Sequence, residues 1–151
     1  MGGVTSVVGP PKLAEMDSQR GGRFQEFQQG MIIWSPDVAW AVHGRILDHY
    51  RALGSEGRWG FPTMDERDAA ASPTGTRGRY QYMQEGVFMW SAATDVHVIH
   101  GAIHDAFVAN GREAALGYPT SDEIPEGSGV RQTFQSATIH WTPERGTWIT
   151  H

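Results

Sequence analysis

One block of this sequence occurs three times, and that recurrence restricts the fold more than composition can. Phe24 to Ser35, FQEFQQGMIIWS, aligns with Tyr80 to Ser91, YQYMQEGVFMWS, at an offset of 56. Ala41 to Ile46, AVHGRI, aligns with Val98 to Ile103, VIHGAI, at 57, so one residue is inserted between the two blocks. RQTFQSATIHWT, Arg131 to Thr142, is a third copy of the first block, offset 51 from the second. It places Trp148, Ile149 and His151 opposite Trp40, Ala41 and His43. A loop is copied as well: Trp59-Gly60-Phe61-Pro62-Thr63-Met64-Asp65-Glu66 against Leu116-Gly117-Tyr118-Pro119-Thr120-Ser121-Asp122-Glu123, with Val8-Gly9-Pro10-Pro11 in the corresponding place ahead of the first block. Three cycles result, at about 8–53, 59–111 and 116–151, within one domain of 151 residues.

Each cycle can be read locally. RFQEF and MIIW flank Gln28-Gln29-Gly30, and apolar alternation around a Gly-bearing turn predicts a β-hairpin. WAVH predicts a third short strand after Ser35-Pro36-Asp37. In GRILDHYRAL, Ile46, Leu47, Tyr50 and Leu53 recur at helical spacing, and Gly54 ends the run. The second copy repeats this with Ile103, Phe107 and Val108, Asn110 as C-cap and Gly111 as the stop. RDAAASPTGTRG, Arg67 to Gly78, is the longest polar loop and the expected flexible segment. The 19 glycines, 8 prolines and 6 tryptophans suit short strands, tight turns and a small aromatic core. Repeats this short cannot bury an apolar face alone, so the expected fold is a β-rich α+β domain. In it, three short β-meanders, each with a short helix and a Gly-x-Pro loop, pack pseudo-symmetrically, propeller- or trefoil-like; an open stack is the alternative.

Composition removes several function classes. A net charge of −5 argues against nucleic acid as a partner. No run of about 20 apolar residues exists to span a membrane. The start, MGGVTSVVGPPK, has neither the basic head nor the apolar middle of a signal peptide. There is no cysteine for a disulfide, a thiolate metal site or a nucleophile. Lys12 is the only lysine among 12 basic residues, a bias that fits a GC-rich genome. No Gly-x-Ser-x-Gly elbow, Walker loop or His-Glu-x-x-His is present, and Gly127-Ser-Gly129 reads as a turn.

The series Gln-x-Phe-x-x-Gly-x-Ile-x-Trp, Val-His-Gly-x-Ile and Leu-Gly-Tyr-Pro-Thr-x-Asp-Glu resembles the LGFP repeat, from about Val8 to His151. Trp59-Gly60-Phe61-Pro62 and Leu116-Gly117-Tyr118-Pro119 stand for the tetrapeptide that names that family. The resemblance implies a module of secreted actinobacterial proteins, extracellular or in the cell wall. It also implies a non-catalytic role, anchoring to a cell-envelope polysaccharide such as arabinogalactan, often beside a catalytic domain. No cofactor is implied. Three departures mark terminal or degenerate copies: Val8-Gly9-Pro10-Pro11 lacks the aromatic, Ala137 replaces the turn glycine, and the third Val-His-Gly is not completed.

Against this background the chemical candidates divide. Asp65-Glu66 and Asp122-Glu123 offer acid–base groups or ligands for a hard cation, but neighbours in an extended loop point to opposite sides. The structural reading has each Asp closing an Asx-type turn over the loop amides. His97, His100 and His104 have a spacing resembling a zinc triad, yet only His43/His100/His151 recurs, which predicts a buried, hydrogen-bonded imidazole before the helix. Trp34, Trp90 and Trp141 share one repeat position and are expected in the core. Trp40, His97 and Trp148 share a more variable position, where an aromatic face could stack on a sugar while neighbouring polar groups bond its hydroxyls. Trp40, Trp59, Trp148, His97, Asp65 and Asp122 are therefore the ligand-binding candidates, against the alternative that the aromatics fill gaps between repeats. None is a catalytic or metal candidate. A protein-interaction module is the competing function class, and a hydrolase built on the acids or histidines a third.

Overall fold

The computed structural model describes residues 16–17, 23–27, 30–34 and 39–151. The Val8-Gly9-Pro10-Pro11 segment, the Gln28-Gln29 pair and Ser35-Pro36-Asp37 lie outside the described residues. The chain forms two compact units, Met1–Glu66 with Gln81–Glu85, and Arg67–Tyr80 with Gly86–His151.

In the first unit, β1 (Met16–Asp17), β2 (Arg23–Phe27), β3 (Gly30–Trp34) and β4 (Ala39–His43) form an antiparallel sheet in chain order. Helix α1 (Gly44–Ala52) follows directly, then α2 (Ser55–Trp59), a single turn absent from the sequence reading. Ile46, Leu47 and Tyr50 face the core as their spacing predicts. The Tyr50 hydroxyl donates to the Gly60 carbonyl at 2.9 Å, which fixes the helix against the Trp59-Gly60-Phe61-Pro62 loop.

The second unit holds β5 (Arg67–Asp68), β7 (Gly86–Ser91), β8 (Asp95–Ile99), α3 (Gly101–Ala109) and α4 (Arg112–Leu116). β9 (Ile124–Glu126), β10 (Gly129–Thr133), β11 (Thr138–Thr142) and β12 (Gly146–Thr150) complete it. Strand β6 (Gly78–Met83) is divided at Tyr80 between the units. The three sheets, β1–β4, β5–β8 and β9–β12, are separate open meanders. Each has a short leading strand in addition to the three predicted.

The registers agree among the cycles. Ile33 faces Trp40, Met89 faces His97 and His140 faces Trp148 across the second and third strands. Helix ends recur as well: Gly54 and Gly111 have φ of +110° and +98°, and Ser55 and Arg112 follow at +53° and +58°. Two left-handed residues in succession reverse the chain between each long helix and its one-turn partner. Asn110 is the C-cap of α3, as expected, its side-chain nitrogen donating to the Ala106 carbonyl at 2.8 Å.

Three expectations change. Val108, assigned to the apolar helix set, is exposed, because α3 buries Ile103, Ala106 and Phe107 instead. The polar loop expected to be flexible is anchored: the Ala69 amide donates to Gly78 and the Ser72 amide to Thr76, and both Ala69 and Ser72 are buried. Trp90 and Trp141, expected in the core, are only half-buried. In β7, Val87, Phe88 and Met89 are all buried, so both faces of that central strand are covered and Trp90 falls at its margin. In β11, Ile139 takes the core position. The side chain of Trp34 lies outside the described residues.

Candidate functional site

The residues that recur between cycles converge on one arrangement, seen once in each unit. The tetrapeptide loop lies antiparallel to the hairpin that follows it, with isolated bridges Pro62 to Met83 and Pro119 to Phe134. Amides of Gln84 and Glu85 donate to the carbonyls of Phe61 and Trp59, and those of Gln135 and Ser136 to Tyr118 and Leu116.

Two glutamines, spaced Gln-x-x-Gln, lock each loop. Gln84 Oε1 accepts the Phe61 amide and Gln135 Oε1 accepts the Tyr118 amide, both at 3.0 Å. The loop glycine makes this close approach possible. Gly60 and Gly117 have φ of +79° and +82°, and a Cβ on either would stand 2.5 Å from Gln84 or 2.6 Å from Gln135. The other glutamine of each pair is fully buried and donates twice. Gln81 Nε2 reaches the carbonyls of Ala41 and Met64, both at 2.9 Å. Gln132 Nε2 reaches Val98 at 2.9 Å and Ser121 at 2.8 Å. One side chain thus joins the third strand of one cycle to the loop that opens the next.

The acidic pairs serve the same junction. Asp122 Oδ1 accepts the Val98 amide at 3.0 Å and lies 3.3 Å from His97 Nδ1. Glu123 Oε2 stands 3.0 Å from His100 Nε2, and Glu66 Oε1 stands 4.0 Å from His43 Nε2 in the other unit. Asp122 grips the preceding strand, and Gln135 satisfies the Tyr118 loop amide. Asp65 is exposed. His43 and His100 are half-buried rather than buried, each beside the second acid of its loop. His104 pairs with Asp105 at 3.7 Å, so His97, His100 and His104 face three different carboxylates. Burial lowers the His104 pKa, with Asp105 opposing that shift. Among the described residues no group of three or more His, Asp or Glu is placed to hold a metal ion.

The aromatic candidates separate. Trp59 is 5 % exposed and belongs to the core, so its burial closes it to a sugar; the Arg58 guanidinium lies 3.9 Å from its ring centre. Trp40 is half-buried on β4. Trp148 is half-buried on β12, stacked on His140 with centroids 5.0 Å apart and planes 5° from parallel, and the Arg145 guanidinium lies 4.1 Å from its ring centre. His140 is itself fixed: Nδ1 is 2.7 Å from Glu126 Oε2 and Nε2 is 2.8 Å from Thr150 Oγ1. Neither His140 nor the Gln-x-x-Gln spacing was singled out in the sequence, although Gln25/Gln28, Gln81/Gln84 and Gln132/Gln135 repeat it in all three cycles.

Two groups are perturbed around the second loop. Burial raises the Tyr118 pKa, and its hydroxyl donates to the Ala70 carbonyl at 2.7 Å. Burial also raises the Glu113 pKa, and its Oε2 has no hydrogen-bond partner among the described residues.

No curated protein matches the chain. The family model described as LGFP repeat matches residues 8–57, 60–114 and 116–151, and these three segments take in nearly all of it. Apart from Trp59, which falls between the first two segments, the loop and hairpin signatures derived above lie inside them, and on this basis the chain is a member of the LGFP repeat family.

Proposed function

We propose that this chain is a non-catalytic repeat module that binds a polysaccharide of the cell envelope, in an extracellular or cell-wall location. The observation that carries this reading is a division of labour within each cycle. The invariant Gln, Gly, His and Glu positions fasten one cycle to the next, whereas the variable third-strand position holds half-buried aromatics at Trp40 and Trp148. A position that differs from cycle to cycle while the fold repeats is one on which a ligand can draw. Aromatic faces suit the C–H faces of sugars, and repetition would multiply weak contacts into useful avidity. The reading includes a pseudo-symmetric, propeller- or trefoil-like packing of the cycles and an actinobacterial envelope glycan as the partner.

Retention of the protein on purified envelope polysaccharide tests it. Binding is expected, and it should weaken in Trp40→Ala/Trp148→Ala without a matching loss of stability. Absence of binding would favour the competing class, a module that grips a protein partner.

A further inference from the structure

Between α3 and the β11–β12 hairpin lies an open cleft of about 420 Å³, within the usual ~300–1,000 Å³ of small-ligand sites. Its helical wall runs from Ala102 to Asn110, about 12 Å at 1.5 Å rise per residue. Three alanines, Ala102, Ala106 and Ala109, leave much of that wall low and apolar. Asp105 and Asn110 project from the same wall. The opposite side is Trp141, with Thr147 and Gly146 beside it.

The chemistry of this lining is selective. Trp141 is half-buried, so part of its ring borders the opening. Trp141 and Thr147 are cross-strand partners and share a sheet face, whereas the next pair, His140 and Trp148, lies on the other face. Asn110 already donates its side-chain nitrogen to Ala106, which leaves its carbonyl oxygen as the end for a ligand. Asp105 is largely exposed and offers carboxylate oxygens. The lining thus presents acceptors and a hydroxyl around an aromatic plane and includes no lysine or arginine. Phosphate or carboxylate ligands would meet Asp105 without a compensating cation. A neutral polyol, whose hydroxyls donate and whose ring offers a C–H face, matches every group.

We infer that this cleft is a saccharide subsite that takes an internal segment of a neutral polysaccharide, with Trp141 as the stacking surface and Asp105, Asn110 and Thr147 as hydroxyl partners. The inference rests on the glycan-binding reading and extends it, adding a contact on the face of the last sheet opposite Trp148.

Affinity electrophoresis in gels containing soluble arabinogalactan, galactan or glucan tests the assignment with the full chain. The wild type should be retarded by at least one of them. Trp141→Ala and Ala109→Arg should each weaken retardation at least tenfold, and Ala93→Arg, an exposed position outside the lining, should keep it within about twofold. Ala109 is exposed, so filling the cleft there leaves the core intact even where Trp141→Ala loosens it. Unchanged retardation of Ala109→Arg, or an equal loss in Ala93→Arg, would overturn the subsite and leave glycan binding standing. A wild type retarded by none of the polysaccharides would remove both.

Discussion

His100 Nε2 stands 3.0 Å from Glu123 Oε2, and both side chains are about three-quarters shielded from solvent, with relative exposures of 26 % and 23 %. His100 follows one cycle's third strand as the N-cap of α3, and Glu123 closes the loop that opens the next. A His–carboxylate contact at a shielded junction couples the two ends of the repeat more than an exposed pair would. A double-mutant cycle of His100→Ala and Glu123→Gln in denaturant unfolding should give a coupling of about 0.5–1 kcal/mol. Strictly additive losses would show that the two groups are neighbours without interaction.

The buried glutamine is the stronger fastening. Removing Gln132 strands the buried Val98 carbonyl and takes the donor from the part-buried Ser121 carbonyl. Gln132→Ala is expected to destabilise by about 2–4 kcal/mol, since each orphaned buried polar group costs about 1–3 kcal/mol. Urea unfolding checks this, and a loss below about 0.5 kcal/mol would contradict the assigned role.

Glycines with the same sign of φ should differ in tolerance. Gly117→Ala combines φ of +82° with a clash at 2.6 Å against Gln135, whereas Gly127, at φ of +58°, has open space around a new Cβ. The first should cost about 2–4 kcal/mol and the second about 1 kcal/mol, because only strain applies there. Thermal unfolding of the two variants gives the ranking directly.

Glu113 makes the fold sensitive to rising pH in a defined sense. Burial raises its pKa in the folded chain, so the folded state holds the proton more tightly than the unfolded one. Its contribution is therefore most favourable below the ordinary carboxylate range, and stability falls as pH rises from that range through the raised value. Glu113→Gln should flatten this part of the stability–pH curve and raise stability at neutral pH. A slope that survives the substitution would assign it elsewhere.

The sequence made the hairpins and long helices legible because alternation and helical spacing are local signals. Tyr50 and Phe107 could be assigned to the core from spacing alone. The Gln-x-x-Gln pair was visible as letters but not as a function, since its meaning depends on a loop 11 to 23 residues away along the chain. The one-turn helices at Ser55–Trp59 and Arg112–Leu116 are too short for periodicity to reveal. Trp59 and Trp141 exchanged expected places for a related reason. Burial at the end of a strand or beside a loop depends on which neighbouring segment covers the ring, and alternation carries no information about that.

Calorimetric titration of the full chain with purified cell-envelope polysaccharide, with a parallel assay for newly released reducing ends, addresses the central claim most directly. The account predicts saturable binding heat and no release of reducing ends. Titrations without binding heat, or steady release of reducing ends by the purified chain, would contradict it.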